Sequence, residues 1–459
     1  MHMDFKKKIL EETGQYRQEH AEKYVYELDN YSTILDTPII YEYPVNIMDK
    51  NRNLSNKIEK LLDMFPVVAV IGARQCGKST LVKQLKPEWK YYDLEQPDDY
   101  QLITDDPVAF FSFNSEHIII DEAQQYPDLF KILRGVIDSD RKNKGRFLIT
   151  GSSSPDIVKG LTESLAGRIA SIEMWPFKST EYYEKGQSEL YDYLLQSSLS
   201  SKNLTDLSPL LSLPQCMNVW YKGGFPEPLI ESEENNEFYT IWMENYIQSY
   251  IVRDIRGLFP KLNIHNFRRF LTLLAQFSGH QLNMSDMARS LEVSVSTIKD
   301  YLDIIHQTFI WRNLNPFENN TIKKVQKAKK GFFRDQGVLH YLLKIKSLDD
   351  LLIHPVAGYS FESFVTEEII RGFQATMATQ MEFSYYRTID KSEVDLIVEG
   401  SFGTIPIEIK LGSSTKKQSL RGLTKLIKEM DLEYGLVINR AKRIEQLSDK
   451  IIQIPVNYI

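Results

Sequence analysis

The sequence predicts an α/β protein built from several modules, and three observations point to this class. The chain has 459 residues, which at roughly 150 residues per domain suggests about three domains. From residue 56 to about residue 180, short β-branched runs such as "VVAVI" alternate with helical stretches, the pattern of a parallel sheet. After about residue 355, further strand-like runs follow a helix. We therefore expect a parallel α/β domain first and a second α/β domain at the end of the chain.

Composition and charge exclude several classes of protein. With 42% hydrophobic and 25% charged residues, the chain has the composition of an ordinary globular protein. It contains no apolar run near the roughly 20 residues of a membrane span, and its start lacks an apolar signal-peptide core. The net charge of −7 argues against indiscriminate coating of nucleic acid, and the distant Cys76 and Cys216 give neither a disulfide framework nor a zinc site. We expect a cytoplasmic protein with no membrane partner.

A phosphate-binding loop is the first functional motif. It lies in a P-loop ATPase core predicted over residues 56–185. The preceding residues, 1–55, are predicted to be an N-terminal extension and show no identifiable chemistry. The stretch "VIGARQCGKSTL" follows a predicted strand and opens a predicted helix. Its glycines let backbone N–H groups turn toward a phosphate, Lys78 can reach the β- and γ-phosphates of ATP, and the Ser79 hydroxyl can bind Mg²⁺. Cys76 is interpreted as filler at a variable loop position, not as a redox-sensitive thiol. The predicted nucleotide contacts are Gly72, Ala73, Arg74, Gln75, Cys76, Gly77, Lys78, Ser79 and Thr80.

Two acidic residues at the end of a later apolar run supply the expected hydrolytic groups. The stretch "HIIIDEAQQ" is a predicted strand that ends in Asp121 and Glu122. Asp121 is expected to hold the Mg²⁺ shell, and Glu122 to polarise the attacking water. In "TGSSS", after the following strand, Ser152 together with Thr150 or Ser153 can orient that water near the γ-phosphate. Three elements in this order favour ATP hydrolysis over a chance glycine loop.

An arginine is expected to neutralise charge that develops in the transition state. Arg168, in "LAGR", is the first candidate, acting across a subunit boundary of a homo-oligomer. The alternative for Arg168 is a structural salt bridge. Arg253, in "VRDI", is the competing candidate.

The two middle modules are predicted to be an insertion with a helical lid, residues 186–262, and a winged helix with a basic wing, residues 263–345. The order of three helices followed by a β-rich basic stretch is typical of a winged helix. Its third helix carries Lys299 but also Asp300 and Asp303, and these carboxylates argue against sequence-specific reading of bases.

The predicted wing is the main candidate for contact with DNA, through the phosphate backbone and without sequence preference. The alternatives are a solvated basic hairpin and a winged helix that docks a protein. The basic residues of this stretch, which has no acidic residue, are Lys323, Lys324, Lys327, Lys329, Lys330 and Arg334.

The last module, residues 346–459, contains a candidate site for a second Mg²⁺, or for Mn²⁺. Strand alternation in "TIPIEIKLG" places Glu408 and Lys410 on one face, and Asp395 lies on the preceding predicted strand. Glu362, from an earlier helix, can complete the set. Asp395 and Glu408 are the expected metal ligands, and the lysine can position a water or stabilise the phosphate, as in restriction-type nucleases. An isolated pattern of this kind is weak, because Glu and Lys alternate on many exposed strands.

Residues 56–459 resemble the prokaryotic AAA-family ATPases that carry a C-terminal, restriction-endonuclease-like domain of unknown function. The resemblance implies an AAA-type ATPase domain and a C-terminal nuclease-like domain. Together with the segments described above, the predicted fold is a P-loop AAA-type ATPase domain with a helical lid, a winged-helix module and a C-terminal restriction-endonuclease-like α/β domain. It also implies ATP binding and hydrolysis. The matching stretches are "GARQCGKSTL", "IIIDEAQ", "LITGSSS", "SLAGR", "YKGGFPEPL", "YIVRDI", "FFRDQGV", "SFESFV" and "RTIDKSEVDLIVEG…PIEIKLG".

Two functional hypotheses follow from these motifs. In the first, Mg-ATP binding and hydrolysis control a winged-helix and nuclease-like effector region that acts on DNA. In the second, the protein is a nucleotide-switched regulatory or defence-related binding protein, with a protein partner and a nuclease-like domain that does not cleave. The acidic net charge and the acidic third helix favour the second. A DNA motor, a third possibility, has no support in the sequence.

Overall fold

The computed structural model describes residues 50–152, 165–196, 204, 206–233, 235–249, 255, 259, 262–317, 328–388 and 392–459. Several residues singled out in the sequence lie outside the described part of the chain. These are residues 1–49 of the predicted extension, Ser153, Arg253, and the wing lysines Lys323, Lys324 and Lys327.

The first half of the described chain is built on a parallel sheet, which confirms the predicted α/β class. Its five strands run in the spatial order β2-β3-β4-β1-β5, with every pairing parallel. Parallel strands that are covered on both faces are expected to be apolar throughout, and the central strands are almost entirely buried. The strands are β1 Val67–Gly72, β2 Lys90–Asp93, β3 Ile118–Asp121, β4 Phe147–Ser152 and β5 Ile169–Met174.

Helices cover both faces of this sheet. One hydrophobic core contains Phe110, Phe130 and Phe147, and the other contains Leu81 and Trp175. The helices of this region are α1 Ser55–Met64, α2 Lys78–Leu85, α3 Pro97–Thr104, α4 Pro107–Phe113 and α5 Leu129–Ser139. Because all five strands are parallel, their carboxyl ends meet at one edge of the sheet, where α/β proteins bind ligands.

A helical region follows the first sheet. Its core is aromatic: Phe225 packs against Trp242 and Tyr246, and Trp220 packs against Phe361 from a later helix. The helices are α6 Ser179–Tyr182, α7 Leu190–Leu194, α8 Leu213–Lys222, α9 Pro226–Glu231 and α10 Asn236–Tyr246.

Three helices and three short strands make up the next part of the chain. Strand β8 pairs antiparallel with both β6 and β7, so that the spatial order is β7-β8-β6. Each of the three helices begins after an Asn or Ser whose side chain accepts a hydrogen bond from a backbone N–H of the first turn. The elements are α11 Ile264–Ala275, β6 His280–Gln281, α12 Met284–Leu291, α13 Val295–Gln307, β7 Trp311–Pro316 and β8 Lys330–Phe333.

The remaining strands extend this small sheet into one of nine strands, in the order β13-β14-β12-β11-β10-β9-β7-β8-β6. The junction is a parallel pairing of β7 with β9, which aligns Asn315 with Ser384. The sheet therefore continues across the domain boundary predicted at residue 345. The elements are α14 Gln336–Leu342, α15 Leu348–Ile353, α16 Ala357–Ala375, β9 Glu382–Arg387, β10 Glu393–Gly400, β11 Gly403–Ile409, α17 Arg421–Glu429, β12 Gly435–Asn439, β13 Glu445–Ser448 and β14 Ile451–Pro455.

Candidate functional site

The phosphate loop, residues 72–79, joins the end of β1 to the start of α2. Gly77 has φ +94° and Gln75 has φ +61°, so the loop uses the left-handed backbone region at two positions. Gly72 lies against the end of β5, where an added Cβ would stand 2.1 Å from the Met174 carbonyl oxygen. The helix begins at Lys78, and backbone N–H groups at its first turn can receive an anion.

Lys78 folds back over this loop. Its ammonium donates to the Ala73 carbonyl at 2.9 Å and to the Gly72 carbonyl at 3.3 Å, and the residue is 4% exposed. Nearby, Arg74 pairs with Glu95 at 3.5 Å. The ammonium therefore already lies at the loop, where a phosphate would become an additional partner.

The acidic residues at the end of β3 meet the end of β4. Asp121 is buried and accepts hydrogen bonds from the hydroxyls of Tyr91 and Thr150. The Glu122 carboxylate accepts from the Ser152 hydroxyl at 2.7 Å and from the Ser152 N–H at 3.3 Å. The structure thus brings the predicted metal ligand, the predicted base and Ser152 together at the edge of the sheet that carries the phosphate loop.

Two further residues, Gln124 and Tyr91, lie at this edge of the sheet and were not predicted from the sequence. Gln124 donates to the Glu122 carboxylate and, at 3.1 Å, to the Ser152 hydroxyl. The Tyr91 hydroxyl contacts both Asp121 and Ser79, and burial, followed by the charge of Asp121, raises the pKa of Tyr91. Gln124 is the first Q of "DEAQQ", and nothing in that stretch predicts its contacts. Tyr91 belongs to "YYDL", a stretch whose residues predict a strand but give no sign of a role at the site.

The position of the Tyr91 hydroxyl also indicates that Ser79 and Asp121 could hold a Mg²⁺ ion together. One hydroxyl group reaches both Ser79 and Asp121, so these two predicted oxygen ligands are close enough to share a cation. When bound, Mg²⁺ would supply charge neutralisation to the phosphates, held by these two side chains.

Arg168 lies at the other edge of the sheet. It immediately precedes β5, which starts level with the first residue of β1, Val67. Its guanidinium forms a two-pronged ion pair with Asp138 of α5, with distances of 2.7 and 2.9 Å. This is the structural salt bridge considered as the alternative, and any role toward ATP would have to be exerted on another subunit.

A groove beside the phosphate loop was not predicted. It has a volume of about 190 Å³ and is lined by Gly77, Thr80 and Gln84 on one side, and by Phe177 and Pro226 among others on the remaining sides.

A buried arginine from the segment that precedes α1 packs beneath the phosphate loop and the groove. Arg52 donates to the carbonyls of Cys76 and Trp175, pairs with Glu181 at 3.2 Å, and stacks its guanidinium over Phe177. The segment that we predicted to be without identifiable chemistry therefore supports the phosphate loop at its end. A lone arginine before a helix carries no sequence signal for this role.

The C-terminal residues predicted as a second site also come together, and we call Glu362, Asp395, Glu408 and Lys410 the carboxylate cluster. Lys410 pairs with Glu408 at 2.5 Å and with Asp395 at 3.5 Å, and the Ile409 N–H donates to Asp395 at 2.8 Å. Burial and then the charge of Asp395 raise the pKa of both Glu362 and Glu408 to about 8.

The fit of a metal ion to this cluster is partial. The Glu408 Oε2 atom is buried and has no hydrogen-bond partner, which suits a cation held with Asp395. No group of three acidic, histidine or cysteine side chains within the described ranges is arranged to hold a metal. Glu362 is engaged instead by Lys330, at 2.5 Å. The residues fit a cation on two carboxylates, not three.

Two residues assigned to the basic wing are not available to DNA, and that part of the prediction is wrong. Lys330 is 3% exposed and pairs with Glu362 and, at 2.7 Å, with Glu393. Arg334 is likewise buried, and its guanidinium pairs with Glu173 and Glu367. A run of basic residues in sequence does not reveal which of them face acidic partners on other elements. Lys329 is exposed.

Three family models match successive parts of this chain. Residues 64–183 match an AAA domain, residues 214–349 match a domain of unknown function (DUF8612), and residues 357–459 match a second domain of unknown function (DUF4143). The AAA domain covers the parallel sheet and the phosphate loop. Within the described ranges, each helix is too short or too polar to serve as a membrane span.

Relatives match over most of the chain. The uncharacterized protein Rv2008c of Mycobacterium tuberculosis is 31% identical over 413 residues, which is 89% of this chain and 84% of the relative, and Mb2031c of Mycobacterium bovis gives the same values. The uncharacterized protein MJ1544 of Methanocaldococcus jannaschii is 22% identical over 424 residues, or 88% of this chain and 89% of the relative. Among solved structures, a Walker-type ATPase of Pyrococcus abyssi has a TM-score of 0.40 at 15% identity, over 64% of this chain and 96% of that one.

Proposed function

The chain belongs to the same family as the uncharacterized protein Rv2008c of Mycobacterium tuberculosis and carries an AAA domain over residues 64–183, and we propose that it binds and hydrolyses Mg-ATP. The observation that carries this proposal is the convergence of Lys78, Asp121, Glu122 and Ser152 at one edge of the parallel sheet. Lys78 would hold the β- and γ-phosphates, and Ser79 with Asp121 would hold Mg²⁺. Glu122, oriented by Ser152, would take the proton of the attacking water.

The groove beside the phosphate loop supports the same proposal. Its Thr80 and Gln84 follow the loop on α2, so a nucleotide whose phosphates lie at Lys78 would direct its ribose and base into the groove. Pro226 and Glu227 line the groove from the helical region and would contact the base there, which would give the "GGFPEP" stretch a role in ATP binding.

Steady-state ATP hydrolysis and binding of a fluorescent ATP analogue test this function. We expect Lys78→Ala to lose binding. Glu122→Gln should bind nucleotide within about threefold of the wild type and lose at least about 100-fold in turnover, because a positioned general base contributes about 10² to 10⁴ in rate. Glu88→Gln, an exposed residue beyond α2, is the matched control. Unchanged turnover in Glu122→Gln would refute the mechanism.

We further propose that nucleotide controls an effector region, residues 263–459, which acts on DNA. The helix and strand order over residues 264–333 supports a winged helix. Asp395, Glu408 and Lys410 support a restriction-endonuclease-like site with Mg²⁺ or Mn²⁺. When bound, the metal would polarise a phosphodiester, and Lys410 would position the water or stabilise the phosphate charge.

Cleavage of supercoiled and linear DNA with Mg²⁺ or Mn²⁺, with and without ATP, tests the effector. We expect cutting that is lost in Lys410→Ala, and the result for Lys78→Ala tells whether nucleotide gates it. Absence of cutting under every condition would contradict the nuclease proposal.

The second candidate function is a nucleotide-switched regulatory or defence-related binding protein. Burial of Lys330 and Arg334 favours it, since two of the six cations expected to follow DNA are unavailable. Exposed Asp300 and Asp303 on α13 also repel phosphates. A protein partner retained by Glu122→Gln with ATP, but not by Lys78→Ala, is the expected result for this function.

A further inference from the structure

We propose that a largely buried ion-pair relay couples the phosphate loop to the C-terminal carboxylate cluster, and that Glu173 is the positioning residue at its start. The relay consists of Glu173, Arg312, Arg334, Glu367, Glu362 and Lys330. This inference rests on the proposed binding of nucleotide at the phosphate loop and specifies how that binding would reach the effector region.

The first step lies between the loop and β5. Glu173 stands opposite Ile71 in the parallel register, and the next residue, Met174, stands opposite Gly72. The Met174 carbonyl leaves no room for a Cβ on Gly72, and the Cys76 thiol lies 3.8 Å from the same oxygen. A shift of the loop toward bound phosphate must therefore displace the end of β5, because close-packed groups transmit strain.

The second step crosses to the nine-stranded sheet. The Glu173 carboxylate pairs with the guanidinium of Arg334 and, at 3.6 Å, with that of Arg312. Both arginines also pair with Glu367 of α16, Arg334 at 3.6 Å. Glu173 therefore reaches α16 through two parallel bridges.

Glu367 is the centre of the relay. It is 2% exposed and receives a third guanidinium, that of Arg371, at 3.4 Å. Although burial opposes ionisation, the three guanidinium groups lower the pKa of Glu367 to about 2. A buried charge that loses its partner is strongly unfavourable. We therefore expect these groups to move together when β5 moves.

The third step runs along α16 to the carboxylate cluster. Glu362 precedes Glu367 by five residues, about 7.5 Å along the helix axis. It pairs with Lys330 of β8, which lies four residues before Arg334. Helix α16 and the β8 region are thus joined by two ion pairs. Glu367 with Arg334 lies beside β5, and Glu362 with Lys330 lies at the carboxylate cluster. Lys330 also pairs with Glu393, two residues before Asp395 on β10.

Hydrogen–deuterium exchange of the full chain, with and without the slowly hydrolysed analogue ATPγS, tests the relay. In the wild type we expect nucleotide to change exchange in peptides from 357–375 and 393–410, far from the loop in sequence. In Glu173→Gln, the ATPγS dissociation constant should stay within about threefold, while the change in those peptides falls at least threefold. Glu173→Asp, which keeps the charge, should restore part of it. Asp431→Asn, which breaks only an exposed pair with Lys450, is the matched control.

The outcomes separate this inference from the proposed function. A wild-type chain that binds no ATPγS would contradict the proposed function itself. If the wild type binds the analogue without any change in the two C-terminal peptides, or if Glu173→Gln retains the full change, the relay is wrong and ATP binding stands. Should Glu173→Gln fail to fold, Arg312→Gln provides the second test, because it leaves the Arg334 bridge to Glu173 in place and should weaken the response only in part.

Discussion

At the scale of single residues, the phosphate loop depends on backbone space as much as on its charged groups. Gly72 and Gly77 are both required, but for different reasons: Gly72 lies against the Met174 carbonyl, and Gly77 has a left-handed backbone. The sequence motif predicts where glycine is needed, and the structure supplies the cause at each position.

Gly72→Ala is expected to abolish nucleotide binding and to lower thermal stability, because the new Cβ would stand 2.1 Å from a backbone oxygen that cannot rotate away. The matched control is Gly135→Ala, on α5, where an added Cβ meets nothing within 4 Å. That substitution should stabilise the protein by about 0.5 to 1 kcal/mol, through the helix propensity of alanine. Thermal denaturation of the two variants tests the expected loss of stability in Gly72→Ala and the expected gain in Gly135→Ala, and binding of the ATP analogue tests the loss of nucleotide binding. Equal behaviour of the variants would contradict the steric argument.

The carboxylate cluster should make stability depend on pH. The folded-state pKa of Glu408, about 8, lies above its ordinary value of 4.5. Between these two pH values the folded protein therefore keeps a proton that the unfolded chain has released. The resulting stabilisation is complete below the ordinary value and is lost as the pH rises toward about 8. Between about pH 5 and pH 8, the free energy of unfolding should fall by about 1 kcal/mol per pH unit more in the wild type than in Glu408→Gln.

Urea denaturation in metal-free buffer at several pH values measures this difference. Glu116→Gln, at an exposed position, is the control and should follow the wild type. Parallel pH profiles for the wild type and Glu408→Gln would show that the carboxyl group is not protonated in the folded protein.

At the scale of elements, the parallel register decides which residues can serve one nucleotide. The ends of β1, β3 and β4 meet at one edge, whereas Arg168 precedes β5 at the opposite edge. Six residues of strand separate the two edges by about 20 Å. Arg168 therefore cannot reach the ATP of its own subunit, and a role in hydrolysis requires a second copy.

A pair of substitutions distinguishes this role from a structural salt bridge. Arg168→Ala and Asp138→Asn remove the same ion pair, and each should change stability little, because ion pairs at the surface are screened by solvent. If Arg168 acts across a subunit boundary, only Arg168→Ala will lower turnover, by at least about tenfold. We expect this result from steady-state hydrolysis at concentrations that favour assembly. Equal turnover in the two variants would assign the arginine to structure alone.

At the scale of the whole molecule, the nine-stranded sheet joins regions that look like separate modules in the sequence. Strand β7 supplies the neighbour of β9, and Arg312, Lys330 and Arg334 supply the partners of buried carboxylates on α16. Trp220, from the helical region, donates to the buried Ser360 at 3.0 Å. The C-terminal region therefore depends on the chain that precedes it.

Residues 346–459 expressed alone should not unfold cooperatively, because β9 would become an exposed edge and Glu362 and Glu367 would lose their main partners. Residues 176–459, which keep the shared sheet and the helical region, should unfold in a single transition. Circular dichroism during thermal denaturation compares the two fragments. A sharp transition in the shorter one would show that the last module folds independently.

The sequence by itself determined the α/β class, the phosphate loop, and the strand ends that carry Asp121 and Glu122, because these depend on local periodicity and on residue spacing within one motif. It also identified the residues of the carboxylate cluster, although nothing local could reveal that Lys330 occupies part of it. Only the tertiary structure decided the contacts of Arg52, Tyr91, Gln124 and Glu173, and only the tertiary structure removed Lys330 and Arg334 from the predicted wing. The physical reason is that burial and ion pairing join residues far apart in the chain, and no periodicity or spacing in the sequence records such contacts.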